Sequence, residues 1–263
     1  MLTEITLIQG LLIALWAFIC ALDWCFLWGM FHRPLIAAAV TGLILGNPVA
    51  GVIVGAMMEI TLTGLVPAGG SPIPHGTLGG IMATTFMVTQ GLGAPEALAL
   101  ALPFAFLGQH LNTAKNTFMS FVNPGADRIA AKGNARGLWY YHFFTLSVNC
   151  MLWATTAFLS AYAAQNAIAY FVGIIPMEII AGLRLAGGLL PAVGFTMMLS
   201  IIFEAKYTPF LIIGFLISVF LDFGNVLPAA LVGLAFALFY YFFIAKEDNV
   251  EKIEVGGEDN AGI

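Results

Sequence analysis

GVIVGAMMEITLTGLVPAGGSPIPHGTLGG, residues 51–80, decides the fold. Up to Val66 it is an apolar run whose only charge is Glu59. From Gly64 to Gly80 it carries six glycines and three prolines. Proline has no N–H to donate and glycine costs a helix about 1 kcal/mol relative to alanine, so no continuous helix is expected across 64–80. Broken backbone of this kind is tolerated at membrane depth only where protein buries it or water lines it. The stretch therefore predicts a re-entrant or discontinuous hairpin, the backbone device of a transporter more than of a simple anchor bundle.

The rest of the chain supplies the membrane. It has 263 residues, 60% hydrophobic and 9% charged, with a mean hydropathy of +0.96. A soluble domain carries about 25% charged residues. That composition excludes a water-soluble fold, a disordered chain, a nucleic-acid binder and a secreted disulfide scaffold. Cys20, Cys25 and Cys150 lie in apolar runs without CxxC spacing and read as small apolar residues. The N-terminus lacks a basic region and a small-residue cleavage site, so the first apolar run is expected to stay as a membrane segment.

Further segments are expected at 8–27, at 35–66 with a break at Gly46-Asn47-Pro48, and at 81–90, 97–121 and 138–164. Others follow at 168–180, 185–203, 210–221 and 226–245. The expected fold is an all-α polytopic membrane protein with roughly eight or nine hydrophobic helical segments, several too short to cross a ~30 Å core alone. Residues 1–245 form the transmembrane domain. Residues 246–263 hold two lysines and six acids and read as a solvated, disordered tail. The polar loop 123–137 has Arg128, Lys132 and Arg136 against Asp127, so the positive-inside rule places it in the cytoplasm. Gly42/Gly46, Gly51/Gly55 and Gly76/Gly80 are spaced for close helix packing.

Charges inside apolar runs need a reason, since each costs about 2.5–3.5 kcal/mol at mid-membrane. Glu59 has no other charge between Arg33 and Glu96 and precedes the break. It is a candidate to accept hydrogen bonds from sugar hydroxyls or an ammonium, or to relay protons, against the alternative of a carboxylate capping free backbone N–H groups. His75 lies in the break, flanked by Ser71 and Thr77, where unpaired backbone groups and polar side chains suit a polyhydroxylated ligand. Asp23 is expected to pair with His32 or Arg33. Asp222 with Asn225 marks a second break. Gln109, Asn112 and Asn116 share a helix face, more as inter-helix glue than as ligand contacts. No Walker A loop, HExxH, GxSxG or Cys/His metal pattern occurs, and no cofactor or metal is expected.

FHRPLIAAAVTGLILGNPVAGVIVGAMMEITLTGLVPAGGSPIPHG (31–76), with MLTEITLIQG at the start and LAGGLLPAVGFTMMLSIIFEAKYTPFLIIGF (185–215), resembles the mannose-family (sorbose-type) IIC membrane component of the bacterial sugar phosphotransferase system. GLVPAGG (64–70), AGGLLPAVGF (186–195) and the tail ending in GI look most like members for N-acetylgalactosamine or galactosamine. The resemblance implies a multi-pass permease of the bacterial inner membrane, not catalytic alone, that pairs with a IID component in a trimer of heterodimers. It implies that cytoplasmic IIA and IIB phosphocarriers, fed by phosphoenolpyruvate, phosphorylate the sugar's 6-hydroxyl as it emerges. Glu59 carries over as a sugar-site residue. His75 and Pro67 depart from mannose members, which have Asp and Asn there. Two other readings are an ion- or proton-coupled secondary transporter relaying through Glu59 and His75, and a non-transporting membrane scaffold.

Overall fold

The computed structural model describes residues 4–65, 73–221 and 227–245. Among these the regular structure is entirely helical. The chain divides into two compact units, Met1–Ile201 and Ile202–Ile263. The expected tail, residues 246–263, and the sites Ser71 and Asp222 lie outside the described residues.

The first unit begins with α1 (Leu7–Leu22), which runs into a π-helical turn, Asp23–Leu27. A capping box starts it: Thr6 Oγ1 accepts from Gln9 N–H at 3.3 Å, and Gln9 Oε1 accepts from Thr6 N–H at 3.0 Å. Then come α2 (Pro34–Ile44), α3 (Pro48–Thr63) and α4 (Gly76–Thr89), of 11, 16 and 14 residues. At 1.5 Å per residue these reach about 17, 24 and 21 Å, short of a ~30 Å hydrocarbon core. Each of α2 and α3 opens on proline, which suits a first helical turn, and Asn47 caps α3 through Ala50 N–H at 3.1 Å. Gly46, at φ +84, makes the left-handed turn between them.

Three longer helices frame this short-helix group. They are α5 (Ala94–Val122), α7 (Ala135–Phe158, extended by a π turn to Ala163) and α9 (Met177–Ile202). Leu7–Leu27, Ala135–Ala163 and Met177–Ile202 are each long and apolar enough to cross a membrane. Two stretches fold differently from the sequence expectation. The polar loop 123–137 is largely helical, because α6 (Pro124–Ala131) starts on proline and α7 begins at Ala135 behind an Asn134 cap. The break expected between 180 and 185 falls instead at Ile175-Pro176, between α8 (Gln165–Ile174) and α9. Ile175 is extended, as a residue before proline prefers, and Arg184 stays within α9, where it bonds Glu96 at 2.5 Å.

α4 is the centre of this unit. Ten consecutive residues, Thr77 to Phe86, are buried, which fits a helix without a polar face. Its threonines satisfy their hydroxyls within the helix: Thr84, Thr85 and Thr89 donate to the carbonyls four residues back, at 2.9, 2.8 and 2.8 Å. Small residues bring α2 against α3 and α4. A side chain at Gly51 would strike the Ala38 carbonyl, one at Gly42 would come within 2.7 Å of the Asn47 carbonyl, and one at Gly80 within 2.9 Å of the Pro34 carbonyl. Gly76 and Gly80, which lie within the expected break but at packing spacing, are in α4 and serve as helical packing positions. On the other flank, Trp16 Nε1 of α1 donates to the Ala37 carbonyl at 3.1 Å.

The second unit holds α10 (Thr208–Phe220) and α11 (Leu227–Phe239), the latter extended by a π turn to Ala245. Neither helix buries a residue fully. Aromatic contacts join them: Tyr207 with Tyr240, centroids 5.7 Å apart, and Phe210 with Phe236 at 6.0 Å.

Candidate functional site

The strap between α1 and α2, residues 28–33, is the first component. Trp28 and Met30 are left-handed, at φ 51 and 68, each at a cost of about 1–2 kcal/mol for an L residue. Asp23 holds this conformation. Its carboxylate is wholly buried and accepts from Gly29 N–H at 2.5 Å, His32 N–H at 3.1 Å and His32 Nδ1–H at 2.6 Å. The His32 ring lies edge-on to Trp24, centroids 4.8 Å apart, and Cys20 Sγ–H reaches the Phe31 carbonyl at 3.3 Å.

The strap then meets two of the sequence-expected site residues. Thr77 Oγ1–H donates to the His32 carbonyl at 2.5 Å. The Arg33 guanidinium pairs with the Glu59 carboxylate, whose other oxygen accepts from Leu35 N–H at 3.2 Å. Glu59 stands alone in sequence but not in space: it neutralises Arg33 and caps the first turn of α2. A side chain at Gly76 would meet Pro34 Cγ at 2.7 Å, so the start of α4 rests on the first residue of α2, next to the strap.

His75 faces the second component. It is the N-cap of α4: its Nδ1 accepts from Leu78 N–H at 3.3 Å, and its own N–H donates to the Ala105 carbonyl of α5 at 2.9 Å. An accepting Nδ1 places the ring proton on Nε2. That Nε2 is buried without a partner. The ring packs edge-on against Trp153 of α7, centroids 4.0 Å apart, and the Trp153 Nε1–H is also buried and unpartnered. Gly108 of α5 admits the imidazole, since a side chain there would lie 2.9 Å from His75 Cβ. One turn on from Gly108, Asn112 Oδ1 is also buried and unpartnered.

Lys115 completes this arc. Its Nζ donates to Asn149 Oδ1 at 2.7 Å, and Asn149 Nδ2 reaches Cys25 Sγ at 3.1 Å. Asn149 lies one turn from Trp153 on α7. Buried polar groups that lack a partner cost about 1–3 kcal/mol each, so the imidazole Nε2, the Trp153 Nε1–H packed beside it and Asn112 Oδ1 call for a ligand or water. The arrangement offers two N–H donors, one carbonyl acceptor and an ammonium, the mixed set that hydroxylated ligands satisfy.

The structure thus brings Glu59 and Thr77 to the strap, and His75 and Asn112 to the α5–α7 arc. Asp23 stands behind the strap rather than beside the unpartnered atoms. Gln109, next to Gly108, is half-buried on the α5 face that carries Asn112. Trp153, Asn149 and Lys115 were not expected as site residues. Their signal was faint: a four-residue spacing of Asn149 and Trp153 in an apolar helix, and a lysine without a nearby acid.

An all-helical bundle whose short central helices end on a strap and a buried polar arc defines a multi-pass membrane protein with a polar cluster inside its own packing. The chain belongs to the PTS system sorbose-specific IIC component family, whose sequence profile matches residues 7–239. It is therefore a sugar-permease IIC component of the bacterial inner membrane. It is 36% identical to the N-acetylgalactosamine permease IIC component 1 of Escherichia coli K12, over 92% of this chain and 91% of that one. A solved structure titled only as a membrane protein superposes with a TM-score of 0.81 at 28% identity, covering 93% of this chain and 99% of the other. The mannose transporter ManYZ, solved in complex with microcin E492, matches with a TM-score of 0.58 at 27% identity, over 94% and 99%.

Proposed function

We propose that this subunit translocates a hexose or amino sugar, with N-acetylgalactosamine or galactosamine as the best-fitting substrates, and that a IIB component phosphorylates the sugar as it emerges. The observation that carries the reading is the trio of buried, unpartnered atoms on His75, Trp153 and Asn112 beside the broken hairpin. Hydroxyls both donate and accept, so one sugar face can satisfy all three. The N-acetylgalactosamine permease relative supports the choice of sugar. Glu59, Ser71, His75 and Thr77 are proposed to form the sugar site with this trio.

The described residues hold no carboxylate beside His75, and Glu59 is neutralised by Arg33. A proton relay from Glu59 to His75 lacks its charge carrier, which favours phosphorylation over ion coupling. A product bearing phosphate cannot recross the bilayer. A IID partner, a trimer of heterodimers, re-entrant placement of the short helices, IIA and IIB docking, and a cytoplasmic face for residues 123–137 belong to the same proposal. The basic side chains of that turn, Arg128, Lys132 and Arg136, support its orientation.

The test is uptake in membrane vesicles containing this chain and its IID component, supplied with the cytoplasmic phosphocarriers. Accumulation of sugar phosphate that needs phosphoenolpyruvate and survives an uncoupler is the expected result. Uptake of free sugar abolished by the uncoupler would mean a secondary transporter. Binding of IID with no sugar effect would mean a scaffold.

A further inference from the structure

We infer that the His75 arc takes a neutral, N-acetylated sugar and rejects a protonated amino sugar, with Lys115 as the residue that sets this preference. The inference rests on the sugar-site reading above and chooses between its two substrates.

The argument is one of charge and hydrogen-bond complementarity. Three of the free groups around His75 are donors. His75 Nε2–H and Trp153 Nε1–H have no acceptor, and Lys115 keeps N–H groups beyond the one given to Asn149. Lys115 forms no ion pair among the described residues. Asn112 Oδ1 is a free acceptor, and it is a neutral carbonyl.

An acetamido group fits that set. Its carbonyl oxygen accepts from an indole or imidazole N–H, and its N–H donates to Asn112 Oδ1. A protonated amine brings donors only at that carbon, so it offers neither ring N–H an acceptor there and places a second cation near Lys115. Like charges repel more strongly in a buried site than in water, so this second cation opposes binding of the amine.

The acids nearby do not offset this. Glu59 has Arg33 on one oxygen and Leu35 N–H on the other. Asp23 is filled by three donors from the strap. Glu96 pairs with Arg184 and lies about 18 Å along α5 from Gly108. A cationic substrate would find no free carboxylate among the described residues of the arc.

The experiment is competition binding to this chain, purified with its IID component in lipid nanodiscs at about pH 6, below the range of roughly 7.7–8.0 where even an α-amino group titrates. The probes are two matched pairs: N-acetylgalactosamine with galactosamine, and N-acetylglucosamine with glucosamine. Within a pair only the C2 nitrogen differs. The acetylated member should bind at least tenfold more tightly in the pair that binds. Lys115→Met should narrow that ratio severalfold, and Lys115→Arg should keep it. Equal or tighter binding of the amine overturns the inference and leaves the sugar reading standing. A preference unchanged in Lys115→Met overturns the role of Lys115. Should the methionine variant not fold, the wild-type ratio and the arginine variant still decide. If neither pair nor mannose binds, the sugar site itself is refuted, and this inference with it.

Discussion

Two helix pairs in this chain look alike on paper. α3 and α4 are apolar helices of 16 and 14 residues separated by a Gly/Pro-rich break, and α10 and α11 are apolar helices of 13 residues each around a second break. Their surroundings differ. α4 is buried through Thr77–Phe86, whereas α10 and α11 bury no residue fully within their own unit. In the first pair the ends meet a strap, an N-cap histidine and polar atoms from two further helices. In the second they meet aromatic rings. Hydropathy makes a membrane hairpin, but a site needs neighbours close enough to hold polar groups in place.

The strongest way to break that comparison is to remove what holds the strap. Asp23→Ala deletes a buried carboxylate that accepts three hydrogen bonds and leaves His32 unpaired beside two left-handed residues. Removing the acceptor leaves three buried donors unmade, at about 1–3 kcal/mol each. Thermal unfolding in detergent should show a lower midpoint than Gly51→Leu, Thr77→Val or Glu59→Gln gives. A wild-type midpoint would mean that Asp23 does not organise the strap.

Glycines sharpen the contrast directly. A side chain at Gly51 would strike the Ala38 carbonyl of α2, while Gly214 and Gly233 have nothing within 4 Å of the added carbon. Gly51→Leu should destabilise by about 1–3 kcal/mol, since overpacking forces backbone apart. Gly233→Leu should stay within about 0.5 kcal/mol, as open positions do. Similar losses from both would contradict the packing difference between the two hairpins.

Much of the fold was legible because the signals were local. Pro34, Asn47-Pro48 and the Gly/Pro run after Gly64 mark helix ends by backbone chemistry alone, and α2 and α3 begin where those residues predict. The α8–α9 boundary was not: segments at 168–180 and 185–203 leave Arg184 between them, whereas Arg184 lies within α9. It stays in the helix through Glu96, a partner 88 positions away. The candidate site divides in the same way. His75 was visible from its setting in the break, and the pairing of Asp23 with His32 from proximity in sequence. The Arg33–Glu59 pair and the meeting of His75 with Trp153 depend on which helices pack together. Pattern along one chain does not encode that.

Thr77→Val tests a smaller link. It keeps the shape and removes the hydroxyl that donates to the His32 carbonyl, leaving a buried acceptor unmade. The expected loss is about 1–2 kcal/mol of stability, below that of Asp23→Ala, read from the unfolding midpoint. A larger loss from Thr77 than from Asp23 would place the anchor of the strap on α4 rather than α1.

Glu59→Gln carries the smallest expected change in stability and the most information about function. Glutamine keeps an oxygen for Leu35 N–H but loses the charge that pairs with Arg33. The Arg33 side chain is about half exposed, so solvent screens the lost pair and stability should fall by about 1 kcal/mol or less. Sugar binding should weaken by roughly tenfold, equivalent to about 1.4 kcal/mol, with assembly intact. The reason lies in the strap: Arg33, released from its carboxylate, is free to move, and the start of α4 that carries His75 rests on Pro34 beside it. Wild-type affinity in the variant would show that Glu59 only caps α2. Loss of assembly together with binding would make it a structural residue of the hairpin. A selective loss of affinity would tie the charged strap to the sugar site, a coupling for which the described residues of the apolar α10–α11 pair supply no charged group.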